Sequence, residues 1–76
     1  MSNAEQILAA LGGSENVTDI RSCITRLRVN VENAENISED ELKNAGAFGV
    51  VVHGRTVQVV VGPAADDLAD EIIKLR

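Results

Sequence analysis

One thiol and a group of guanidiniums are the residues of this chain best suited to chemistry. Cys23 is the single cysteine, and Arg21, Arg26 and Arg28 all lie within five positions of it. From Ile20 to Val31 there is no Asp or Glu, although the chain as a whole carries a formal net charge of −5. Cations beside a thiol favour the thiolate, which is its nucleophilic form. Guanidinium forks also match phosphate oxygens with paired donors of fixed geometry. A thiol among arginines therefore points to phosphate binding or phosphoryl transfer. A lone cysteine is in general more often a small buried hydrophobe. Here Ser22 and Thr25 stand close to it, in a connection better suited to a turn toward solvent than to a core.

Other chemistries fit less well. A cysteine phosphatase loop places an arginine six positions after its nucleophile, with glycines between; this chain has Val29 at that position and no glycine between Cys23 and Val29. A thiol hydrolase needs a partner base, and the single histidine, His53, falls where a tight turn is expected. One Cys and one His fall short of the ligand set of a zinc site, so no metal and no other cofactor is expected. Gly12-Gly13 is not followed by Lys-Ser/Thr and reads as a helix stop rather than a phosphate cradle. An acidic balance with Phe48 as the only aromatic residue argues against nucleic acid as a partner. No apolar run approaches the roughly 20 residues of a membrane span, so no direct membrane insertion is expected. A single cysteine suits a reducing compartment, most simply a cytoplasm.

The elements that position these residues can be read from periodicity. One domain is expected over residues 1–76, with residues 1–4 given little weight as partly foreign to it. Ser2 with Glu5 reads as a capping box, opening a helix over residues 3–11 that ends at Gly12-Gly13. Val17–Ser22 is β-branched enough for a short strand. Arg26–Val31 alternates, with Leu27, Val29 and Val31 on one face and Arg26, Arg28 and Asn30 on the other. The two arginines then stand about 6.5–7 Å apart on an open face. Cys23-Ile24-Thr25 connects the two strands. Simple parity puts Cys23 on the face opposite Arg26, so convergence requires the connection to bend. Ser38 and Glu41 form a second capping box, for a short helix ending at Gly46. Val50–Val52 and Val57–Val61 flank Gly54-Arg55 as a hairpin. A last helix, residues 64–75, buries Ala65, Leu68, Ala69 and Ile72 and runs from an acidic start to a basic end. The expected fold is α+β, in the order α-β-β-α-β-β-α: a largely antiparallel four-stranded sheet with three helices covering one face.

The run Cys23-Ile24-Thr25-Arg26-Leu27-Arg28 resembles the phosphorylation-site motif of the IIB domains of the bacterial sugar phosphotransferase system, glucose family. The resemblance extends to Gly12-Gly13 with Asn16-Val17, to Leu42-Lys43, to Gly46-Ala47-Phe48-Gly49-Val50-Val51, and to Val57-Gln58-Val59 before Gly62, so that it covers roughly residues 7–75. Its Ile-Thr form is closer to the glucose and N-acetylglucosamine members than to the sucrose or β-glucoside ones. The resemblance implies that Cys23 takes a phosphoryl group from phosphohistidine on a IIA protein. It further implies transfer to a sugar held in the membrane IIC permease, which would keep the domain in the cytoplasm at the inner face of the membrane. Arg26 and Arg28 are then expected to hold phosphoryl charge during onward transfer, with Thr25 as a hydroxyl donor. Ile24 is the expected apolar contact for the IIA partner. The chain departs from the family just before the motif, where Arg21-Ser22 replaces the common Asp-Ala or His. Arg21 is therefore a candidate modulator of the thiol. The competing reading is a non-catalytic module that binds an anion or a protein on the same fold.

Overall fold

The computed structural model describes residues 3–76, so the expected Ser2–Glu5 capping box lies outside the described residues. The elements are α1 (Asn3–Ala10), β1 (Val17–Cys23), β2 (Arg26–Val31), α2 (Glu39–Asn44), β3 (Gly49–His53), β4 (Thr56–Val60) and α3 (Ala65–Leu75). Short 3-10 turns at Ala34–Asn36 and Gly62–Ala64 lead into α2 and α3. The second of these displaces the start of the last helix by one residue from its expected position. The order and the fully antiparallel pairing match the sequence reading.

Strand order in the sheet is β1-β2-β4-β3. The strand carrying Arg26 and Arg28 is therefore central and bonded on both edges, which fixes the spacing of the two guanidinium stems. Leu27, Val29 and Val31 on β2, with Val57 and Val59 on β4, are buried against Ile7, Leu11 and Ile72 of the helical layer. Full burial of each such aliphatic side chain stabilises the fold by about 1.5–3 kcal/mol. That core contains no aromatic residue, and Phe48 is 78% exposed. The alternation on β2 is complete, its odd-numbered residues buried and its even-numbered ones exposed. All three helices lie on the inner face, which leaves the arginine face open.

Two polar devices hold the helical layer in place. Asn16 is buried, and its Nδ2 donates to Leu11 O at 2.7 Å and Asn33 O at 3.0 Å, while its Oδ1 accepts from Asn33 N at 2.8 Å. It thus ties the end of α1 to the segment leaving β2. Ser38 caps α2, its Oγ accepting from Glu41 N at 3.3 Å, as the second capping box requires.

Candidate functional site

The site grows from the β1–β2 hairpin. Its turn has two residues, Ile24 and Thr25, so Cys23 and Arg26 flank it as direct cross-strand partners. Directly paired residues share a face of the sheet. Parity along a continuous strand would have separated them, but a two-residue turn reverses that count and brings thiol and guanidinium together. Cys23 is the last residue of β1 rather than part of the connection, and it is exposed.

Ile24 is the strained residue of this turn. Its φ is +56°, the sole positive value outside glycine among the described residues. The second hairpin has the same plan, and there Gly54 takes the equivalent place at φ +62°. Turns of this kind favour glycine at their first central position, and a β-branched residue there is an outlier. The Ile24 side chain is 86% exposed, so its own burial does not offset the strain. The turn is held from below: Thr25 O accepts from both Val61 N and Gly62 N, each at 3.0 Å. Gly62 has a φ of +79°, and a Cβ there would come 3.2 Å from Phe48 Cε2. Exposed Phe48 therefore lies against the segment that anchors the cysteine turn.

Cys23, Ile24, Thr25, Arg26, Arg28 and Gln58 line one hollow of about 390 Å³ on the open face of the sheet. Arg26 Nη1 donates to Gln58 Oε1 at 2.8 Å, which aims that guanidinium across the central strands. Arg28 has no such partner among the described residues. Neither the Ile24 nor the Thr25 backbone N–H takes an acceptor among the described residues, nor does the Thr25 hydroxyl donate to one. The hollow thus brings the thiol together with two arginines, the Thr25 hydroxyl and a turn whose two amides are unpaired among the described residues. Such a donor set suits the oxygens of a phosphoryl group on sulfur.

Every site residue expected from sequence lies at or beside this hollow, except that Arg21 faces a neighbouring one. Arg21 Nε bonds Asp19 Oδ2 at 3.2 Å, so part of its charge is answered before it can act on the thiol. The sequence reading missed Gln58. Its signal was a polar residue at an outward position between Val57 and Val59. The free amides have no sequence signal except the turn itself. His53 sits at the end of β3 beside its own hairpin, away from the hollow. No group of three or more metal-ligating side chains occurs among the described residues. Among the described residues no helix is long and apolar enough to cross a membrane.

An exposed thiol beside arginines, on an open-faced antiparallel sheet, is chemically suited to carrying a phosphoryl group. A profile of the phosphotransferase-system EIIB family matches residues 5–38. The N-acetylglucosamine-specific EIIB component of Streptomyces coelicolor is 51% identical over 71 residues, covering 93% of this chain and 92% of that protein. The glucosamine-specific EIICBA component of Bacillus subtilis is 42% identical over 69 residues, which are 91% of this chain and 11% of that protein. The chain thus spans about a tenth of that longer relative. A solved domain of a IIabc component from Clostridium difficile superposes with a TM-score of 0.80, covering 96% of this chain and 77% of that one, at 23% identity. The chain belongs to the EIIB family of the phosphotransferase system, in its glucose branch. It is a phosphotransferase component that carries a phosphoryl group.

Proposed function

We propose that Cys23 is the phosphoryl acceptor, that its donor is phosphohistidine on a IIA protein, and that the final acceptor is a sugar in a membrane IIC component. The observation that carries this reading is the exposed thiol sharing one face and one hollow with Arg26 and Arg28. In the first step the thiolate attacks phosphorus, an S–P bond forms, and the P–N bond to the donor histidine breaks. In the second, a sugar hydroxyl attacks phosphorus, the S–P bond breaks, the thiolate is regenerated, and the hydroxyl proton passes to water or to a base beside the sugar. Neither step needs a base on this chain to activate the sulfur once it is ionised. The contribution of the domain is position and charge: Arg26 and Arg28 hold the phosphoryl oxygens while the bond to sulfur loosens.

The names of the relatives support the partners. An EIICBA chain joins C, B and A components in one polypeptide, and a free-standing EIIB component would meet the same two partners by docking. N-acetylglucosamine, glucosamine or glucose is the sugar class those relatives suggest. On this reading the domain works at the cytoplasmic face of a membrane that holds IIC. Ile24, exposed and strained at the tip of the turn, is the proposed apolar contact for IIA.

Intact-mass spectrometry tests the reading after incubation with phosphoenolpyruvate, the general phosphocarriers and a glucose-family IIA protein. One added phosphoryl group, absent in Cys23→Ser, is the expected result. A phosphorylated donor beside an unmodified Cys23 would favour the non-catalytic module, which no feature of the geometry otherwise supports.

A further inference from the structure

Next to the thiol hollow, the open sheet face carries a second, polar one of about 340 Å³, lined by Asp19, Arg21, Arg28, Asn30 and Thr56. Arg28 belongs to both and forms the wall between them. Arg21 and Arg28 are direct cross-strand partners. Like charges so placed oppose each other across about 4.5–5.5 Å between their Cβ atoms. Asp19 answers Arg21 through Nε alone, in an exposed ion pair of the kind that contributes little. Both Nη groups of Arg21 and the whole Arg28 guanidinium remain without a partner among the described residues. An oxyanion seated between them would replace repulsion with charge-assisted hydrogen bonds.

The rest of the lining is of another kind. Thr56 Oγ1 donates to Asn30 Oδ1 at 3.0 Å, which leaves Asn30 Nδ2 as a free donor. Asp19 Oδ1 is a free acceptor beside it on the same face. A carboxylate acceptor near an amide donor matches hydroxyl groups, which both give and take hydrogen bonds. A bare phosphate has no use for the carboxylate.

We propose that this hollow is a second anion site that binds a phosphorylated sugar, its phosphate between Arg21 and Arg28 and its hydroxyls toward Asp19 and Asn30. The choice of ligand class rests on the phosphotransferase reading, in which a phosphorylated sugar is the product; the unpartnered arginine pair does not depend on it. Occupancy engages Arg28 and withdraws it from the thiol hollow. Accumulated product would thereby slow the next phosphoryl transfer at the carrier itself.

Amide NMR of the unphosphorylated protein, titrated at low salt with glucose 6-phosphate, inorganic phosphate and glucose, tests this. Saturable shifts at Asp19, Arg21, Arg28 and Asn30 are expected with glucose 6-phosphate, and none with glucose. Inorganic phosphate should bind roughly fivefold more weakly for want of the hydroxyl contacts. Arg21→Ser should lose roughly tenfold in affinity for the hexose phosphate while keeping a folded spectrum. Equal affinity for inorganic phosphate would overturn the sugar part of the proposal. Shifts confined to Cys23–Arg26 and indifferent to Arg21→Ser would place the ligand in the thiol hollow instead. Absence of saturable shifts would abolish the site, yet phosphorylation of Cys23 by its donor would still stand, so the two proposals fail separately.

Discussion

Ile24 and Gln58 are the residues at which stability and function can be tested apart. Ile24 occupies a backbone conformation that glycine takes freely in the equivalent turn at Gly54. Strain of that type costs about 1–3 kcal/mol, and exposure of the side chain leaves it uncompensated by burial. Ile24→Gly should therefore stabilise the domain by about 1 kcal/mol, a rise of roughly 4–8 °C in Tm for a domain this small. The same change should slow phosphorylation by the IIA donor, because the apolar tip is lost. A thermal melt and a donor-limited rate on one sample read both effects, and an unaltered rate would remove Ile24 from the docking surface. Gln58 acts at one step further from sulfur, by holding Arg26 at 2.8 Å. Gln58→Leu removes one acceptor worth about 1 kcal/mol, or about fivefold in rate. That loss should appear in transfer from phosphocysteine to sugar. If it appeared only as a lower melting temperature, Gln58 would be structural.

At the scale of elements, the hairpin and the Asn16 cluster do the positioning. Asn16→Ala would strip a partner from the buried Leu11 O and from the part-buried Asn33 N and Asn33 O at once. Unsatisfied buried groups cost about 1–3 kcal/mol each, so a loss of about 3 kcal/mol is expected. In a domain of this size that lowers Tm by more than about 10 °C, read by calorimetry; a drop of only a degree or two would mean that water replaces the side chain. The elements themselves were legible because their signals are local. Leu27, Val29 and Val31 announce a half-buried strand, and Ser38 with Glu41 announces a helix start. The pairing of β2 with β4 was not legible, since no local pattern says which strands meet after a long crossover. For the same reason Gln58 went unnoticed beside Arg26, 32 positions away in the chain. The meeting of Cys23 and Arg26 depended on a turn of two residues, and Ile-Thr carries none of the Gly or Asn signals that mark such a turn.

On the scale of the molecule, charge is sorted by layer. The net charge is −5, yet the open sheet face gathers Arg21, Arg26 and Arg28 around the thiol. Acids instead begin the helices of the opposite layer: Glu39, Asp40 and Glu41 on α2, and Asp66 and Asp67 on α3. An anionic partner approaching the sheet face is attracted, and one approaching the helices is repelled, so the field orients the encounter before contact. Screening tests this directly. Between about 0.01 M and about 0.1 M salt the Debye length falls from about 30 Å to about 10 Å, that is, from beyond the 26 Å long axis of the domain to well within it. The second-order rate of phosphorylation by a IIA donor should drop about tenfold over that range if steering operates. The single-turnover rate at saturating donor should hardly move, because the arginines proposed to hold the phosphoryl group would act at contact distance, where salt screens least. Both rates falling together would place the salt effect in the chemistry around Cys23 rather than in the approach. A second-order rate that ignores salt would mean that apolar contacts at Ile24, not the arginine face, select the partner.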